Sequence, residues 1–349
     1  MINVLKTTKN DIKAAIEGQE NGYINGGMIT YADSIRNIKH INFISDYIVP
    51  VGLKFNGSWG YSFDSFDFSN ITDMSYMFAG TGRRGGTSNG GLDINYADNI
   101  VLNETGYNGV NCEGMFSSSY YRYLDLSSFP NASNCDNMFS GSEAYTINIV
   151  SLPSISSAVS MFSSCPKLTS INIDNMPVDN VDAASMFYNC SKLTGISINK
   201  RGVTTLKFTN VANMFRGCSS LAGFGFSIDI SDLTSLNSLY AGCTRITGAN
   251  IVGDGSKIKD VSYLFNGCSS LRSFSGIKNF GAVSDLQNSL SFSSCELLSN
   301  TSINNIINNL YDRAAAGYSI KGITFHKYAE ISEDTIALAT NKGWSIQLK

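Results

Sequence analysis

Eight cysteines and two histidines are the side chains best suited to metal binding or nucleophilic chemistry in this 349-residue chain. His40 and His326 stand far apart in sequence, which leaves little for a histidine-based metal site or a catalytic triad. Cys165, Cys190, Cys218, Cys243, Cys268 and Cys295 follow one another at intervals of 25, 28, 25, 25 and 27 residues, Cys112 and Cys135 occupy a second register, and no CxxC pair occurs. Ligands spread over successive repeats would form a line and not a tetrahedron. Reduced thiols acting as small apolar side chains fit this pattern best, so all eight are expected to be reduced. The acidic residues are scattered, with no spacing that brings two together, and general acid–base catalysis has no support. No catalytic residue, cofactor or metal is expected.

Two other stretches have the composition of binding surfaces. Gly80-Thr81-Gly82-Arg83-Arg84-Gly85 spells G-x-G-x-x-G, but a dinucleotide fingerprint needs a strand before it and a long helix after it. Here Gly/Ser/Asn-rich sequence follows. Arg83 and Arg84 fall in the long gap between repeats and are expected on an insertion loop, residues 80–110, of the kind that carries recognition in repeat proteins. A tolerated, passive insertion is the alternative. Tyr120, Tyr121 and Arg122, within Ser119–Tyr123, suit contact with sugars or protein partners. Against this, at least one of these tyrosines can replace a core leucine.

What would position these groups is a repeat. An aromatic, usually preceded by Met, recurs at Phe78, Phe116, Phe139, Phe162, Phe187, Phe215, Tyr240, Phe265 and Phe292, with spacings of 38, 23, 23, 25, 28, 25, 25 and 27. Five residues before eight of these aromatics stands Asp73, Asn111, Asn134, Ser157, Asp182, Asn210, Ser235 or Asp260, and Gln287 is the poorest match. Such residues cap helix N-termini. The apolar positions that follow run i, i+3, i+4, i+7, one face of a short helix. Leu168-x-x-Ile171-x-Ile173 and Leu193-x-x-Ile196-x-Ile198 then alternate as strands do. The unit predicted is a short capped helix followed by a short strand. Since one unit cannot bury its own apolar face, about nine of them stack into a solenoid with a parallel strand ladder.

The fold class expected is therefore an α/β repeat, a solenoid closed by N- and C-terminal caps. Residues 1–60 would form the N-terminal cap or attachment segment, with a helix over Asn10–Glu17. Residues 61–298 would form the solenoid. Residues 299–349 would form an α/β cap, with helices around Ile303–Leu310 and Glu333–Thr340 and strands at Ile323–His326 and Trp344–Leu348.

Composition narrows the function classes. Apolar residues make up 43%, charged residues 15%, and the net charge is −3, so the chain reads as a soluble globular protein with a polar, nearly neutral surface. That balance argues against a nucleic-acid backbone or anionic lipid as partner, both of which need clustered Lys and Arg. No apolar stretch reaches the roughly 18 residues of a membrane span. The first twenty residues, MINVLKTTKNDIKAAIEGQE, lack the apolar run of a secretory signal, and export by that route is not expected.

Phe66–Gly80 (FDFSNITDMSYMFAG), Leu124–Phe129 (LDLSSF), Met214–Leu221 (MFRGCSSL) and Ala339–Trp344 (ATNKGW) resemble the BspA-like class of bacterial leucine-rich repeats, over about residues 61–349. The resemblance implies a leucine-rich-repeat-like solenoid and binding without catalytic residues. Proteins of that class are typically surface or secreted adhesins of host-associated bacteria, and similar repeats occur in phage and prophage proteins. The function expected is a non-enzymatic binding or structural component of a phage virion, touching other virion proteins or a host surface protein or glycan, with a homo-oligomer allowed. A bacterial cell-surface adhesin is the first alternative, and a polymer-degrading enzyme the second.

Overall fold

The computed structural model describes residues 47–48, 66–67, 73–80, 99–102, 111–177, 179–198, 202 and 204–349. Apolar and polar residues alternate along each strand, and this decides which face turns inward. Leu124 and Leu126, Ile147 and Ile149, Ile171 and Ile173, and Ile196 and Ile198 are all buried. They lie opposite one another in a five-stranded parallel sheet of Asn99–Leu102, Tyr123–Ser128, Thr146–Ser151, Ser170–Ile173 and Gly195–Ile198. Thr205–Leu206, Ser227–Asp229 and Ile251–Val252 form a second parallel sheet, and Leu290–Phe292, Lys321–Phe325 and Trp344–Leu348 a third. Among the described residues every strand pairing is parallel, so the chain stacks coil on coil as a β-solenoid.

The expected helix in each repeat is absent. Met74–Gly80 and its equivalents are runs of turns. Their third residue is left-handed in coil after coil: Tyr76 (φ 54°), Asn137 (54°), Ser160 (55°), Ser185 (56°), Asn213 (57°), Ser238 (54°) and Tyr263 (58°). A right-handed helix cannot pass through that conformation. The backbone bonds go elsewhere. Phe139 N–H donates to Met161 O and Phe162 N–H to Met186 O, both at 2.8 Å, while Met138 N–H closes a local turn on Cys135 O at 3.1 Å. Alternate donors thus reach the next coil. Segments of this length, rich in Ser, Asn and Gly, are too short and too weak in propensity to nucleate a helix, whereas an equivalent neighbour satisfies their backbone directly.

The polar residue ahead of each turn also does other work than capping a helix. Its side-chain oxygen accepts from the N–H two residues on, as in Ser75 N–H to Asp73 Oδ1 (3.0 Å), Asp136 N–H to Asn134 Oδ1 (3.0 Å) and Ser262 N–H to Asp260 Oδ1 (2.9 Å). This is an Asx-turn. The same residues bond between coils: Asn111 Nδ2 donates to Asp73 Oδ1 (3.2 Å) and Asn134 Nδ2 to Asn111 Oδ1 (3.1 Å).

Inside, the aromatics form a single column. Consecutive ring centroids from Phe78 through Phe116, Phe139, Phe162, Phe187, Phe215, Tyr240, Phe265 and Phe292 to Phe325 lie 5.1 to 5.9 Å apart. Phe325 belongs to the segment expected to be a separate C-terminal cap. The segment instead carries the column and the parallel ladder onward, because Leu290 pairs with Ile323 and Phe292 with Phe325. Helices Asn300–Asn309 and Glu333–Asn341 are the helices among the described residues, capped by Ser299 and Ser332. Lys342 Nζ donates to the carbonyls of Ile307 (3.3 Å), Asn308 (2.7 Å) and Leu310 (3.1 Å), satisfying the end of the first helix.

The expected insertion is narrower than 80–110, since Asn99–Leu102 pairs with Tyr123–Leu126 in the main sheet. Arg83, Arg84 and the glycine motif lie outside the described residues, as does the expected N-terminal cap apart from the short strand Tyr47–Ile48.

Candidate functional site

The cysteines belong to the interior. All eight are free and buried. In the longer register each thiol donates to the carbonyl of the aromatic one coil back: Cys165 to Phe139 (3.1 Å), Cys190 to Phe162 (2.9 Å), Cys218 to Phe187 (3.0 Å), Cys243 to Phe215 (3.0 Å) and Cys268 to Tyr240 (3.1 Å). Burial pushes the Cys268 thiol up to about 12 and raises Cys165, Cys218 and Cys243 as well. Thiols held protonated this way are poor nucleophiles and poor metal ligands. Ser119 and Ser142 fill the same slot in two earlier coils, with their hydroxyls 3.2 Å apart. Among the described residues no group of three His, Cys, Asp or Glu could hold a metal ion. No helix among them is long and apolar enough to cross a membrane.

What remains is the outer surface. Along the five-stranded sheet the outward positions form rows across the coils, Tyr123, Thr146, Ser170 and Gly195 in one and Asn148, Asn172 and Ser197 in the next. The residues named are uncharged and rich in hydrogen-bonding groups, and Asp125 stands in register with Asn148 at the head of the second row. Some surface charges are paired: Lys167 with Glu143 at 2.9 Å, Lys257 with Asp232 at 2.7 Å, and Lys259 with Asp285 at 2.9 Å.

The expected Tyr120–Arg122 surface divides. Tyr121 is buried at 2% exposure, in the slot that Ala144 and Leu168 fill in the following coils, so it is a core residue and not a binding one. Tyr120 and Arg122 are half-buried. Tyr123, the third tyrosine of that run, is 48% exposed and stands in the outer row. Its outward direction follows from alternation with Leu124 and Leu126. Tyr76, Tyr145 and Tyr263 are further exposed rings. Tyr76 and Tyr263 carry the left-handed turn position, and no period in the sequence marks them as surface.

No curated protein and no solved structure matches the chain. A family model described as a BspA type leucine rich repeat region matches in six copies, over residues 114–247, 184–285 and 212–340, which together span well over half of the chain. Repeats of this type suggest a repeat-based binding or surface protein. The matched residues cover most of the coils whose rings, thiols and Asx residues are described above, and the chain belongs to the BspA-type leucine-rich repeat family.

Proposed function

We propose that this chain is a non-enzymatic binding protein of a phage virion, a tail or capsid accessory component that makes contacts in host recognition or assembly. The observation that carries the binding reading is the division of each coil. Rings, thiols and aliphatic side chains fill the interior, and the groups left to act face outward in rows of like residues. Rows repeated from coil to coil suit a long partner, a glycan chain or a protein surface, better than a small substrate needing a preformed pocket. Paired surface charges favour recognition by hydrogen bonds and tyrosine faces over counter-ion release. The virion placement rests on the resemblance to repeats found in phage-encoded proteins.

The placement is tested by density-gradient purification of virions followed by immunodetection of this chain. Co-sedimentation with infectious particles is expected. Absence from particles together with labelling of intact bacterial envelopes would replace this placement with the adhesin reading. Depolymerisation of a bound glycan by the purified protein would overturn its non-enzymatic character.

A further inference from the structure

The coil at Leu236–Gly242 is fastened to its successor by four backbone bonds: Leu236 N–H to Asp260 O (2.8 Å), Ser238 to Ser262 (2.8 Å), Tyr240 to Leu264 (3.1 Å) and Gly242 to Asn266 (2.7 Å). At the next step the series stops. The equivalent donors are the N–H groups of Val261, Tyr263, Phe265 and Gly267, and none has an acceptor among the described residues. The carbonyls of Gln287, Ser289, Ser291 and Ser293, which would receive them, accept nothing from that coil.

Two further measurements register the same opening. From Phe116 to Phe265 consecutive ring planes differ by 1 to 7°, but Phe265 and Phe292 differ by 22°. The thiol bond that is 2.9 to 3.1 Å in the other coils stretches to 3.8 Å from Cys295 to Phe265 O. The rings themselves stay in contact, at 5.2 Å. The two coils are therefore closed on the inside and splayed on the outside. Between them lies a cleft of about 350 Å³, lined by Tyr263, Asn266, Asn288, Ser289, Ser291 and Ser293 among others.

We infer that this cleft is a binding site for a neutral saccharide. The inference rests on the binding reading above and narrows it to a ligand class and a place. One wall presents backbone N–H donors and the other backbone carbonyls, so a ligand must donate and accept at each point. A hydroxyl does both through one oxygen, accepting from the N–H and donating to the carbonyl. An inserted peptide strand needs about 4.8 Å to each neighbour, roughly twice the ordinary coil spacing. The ring contact at 5.2 Å holds the inner side closed against it.

An anion is disfavoured too. The lining contains no Lys or Arg, and Asp260 stands at the edge, bonded by Asn288 Nδ2 at 3.1 Å. The volume is at the lower end of small-molecule sites, which suits one or two sugar rings. Tyr263 is 69% exposed at the rim and offers an aromatic face to sugar C–H groups.

The test titrates the full chain with a panel of neutral mono-, di- and trisaccharides of hexose and N-acetylhexosamine units, read by saturation-transfer NMR. At least one should bind, with an affinity indifferent to added NaCl. Tyr263→Gly removes the ring at a position whose φ of 58° suits glycine, so the fold should survive while affinity falls by about fivefold or more. Ser291→Leu, at an exposed serine, should fill the cleft and abolish binding. Equal melting curves for the three proteins establish that they are folded. The inference is overturned if no saccharide of the panel binds, if both folded variants bind as the parent does, or if inorganic phosphate or an uncharged extended peptide competes there. Attachment of the chain to host cells that no panel saccharide inhibits would sink the cleft and leave the broader binding reading standing.

Discussion

The thiols of Cys165, Cys218, Cys243 and Cys268 keep their protons chiefly because burial would strip the thiolate of water. Folded protein should therefore react slowly with a thiol reagent at mildly alkaline pH, with few groups modified, and all eight should react once it is denatured. Fewer than eight after denaturation would mean that pairs had formed. Asp260 illustrates the opposite sign. Burial pushes its carboxyl upward, but hydrogen bonds from Ser262, Asn237 and Asn288 outweigh burial and hold it below the ordinary value. Unfolded, it binds a proton more readily than folded, so its contribution is whole above roughly pH 3.9 and is lost as pH falls through the lower folded value. Denaturant midpoints at neutral and acidic pH should accordingly fall further in the parent than in Asp260→Asn.

At the scale of the element, the turn run is the device that sets the coil. A left-handed residue other than glycine costs about 1–2 kcal/mol, while glycine costs about 0.5–1 kcal/mol in unfolded-state entropy, so Ser160→Gly should be neutral to stabilising by up to about 1 kcal/mol. Gly217→Ala should go the other way. Its φ is +79°, and an added Cβ would clash with Asn189 Oδ1 and come within 3.3 Å of Asn189 Cα. A loss of about 1–3 kcal/mol in denaturant melts is expected. These elements also show where sequence is legible and where it is not. The inward rows Ile147–Ile171–Ile196 and Phe139–Phe162–Phe187 could be read directly, because burial leaves a period that any coil must respect. Helix and turn run share the spacing i, i+3, i+4, i+7, and a residue such as Tyr76 or Ser185 gives no warning that its φ is positive. Asp73 and Asn134 look alike as helix caps and as Asx-turns, since both use one acceptor and a nearby N–H. The cleft was hidden for a further reason. It arises from bonds that fail to form, and its traces in the residues are Gln287 in the slot otherwise held by Asp, Asn or Ser, with Asn288 and Ser291 in slots that are apolar in the other coils.

Over the whole molecule, each coil packs on its neighbours alone, and stability is close to a sum of coils and interfaces. Most interfaces carry three or four backbone bonds along the turn face, a polar ladder and a stacked ring pair, so the step from Val261–Gly267 to Gln287–Ser293 is the seam. What holds it along the turn face is the ring contact, the Asn288 side chain on Asp260 and the bond from Gln287 N–H to Lys259 O (2.9 Å), and beyond that face the C-terminal segment reaches back. Arg313, buried between Tyr318 and Trp344, donates to the carbonyls of Gly281 (2.6 Å) and Val283 (2.8 Å) and ties that segment back across the opening. Cooperative units part where interfaces are weakest. Amide exchange should therefore show Val261, Tyr263 and Phe265 exchanging far faster than Leu236, Ser238 and Tyr240 one coil earlier. The strands from Leu290 to Leu348 should lose protection together, at a lower free energy than Thr146–Ile198. Arg313→Met, which keeps the bulk and removes the donors, should lower protection of the C-terminal strands by about 1–3 kcal/mol and leave the sheet around Ile171 nearly unchanged. Uniform loss of protection across both regions would show that the seam is as strong as its neighbours and that the solenoid opens as one unit.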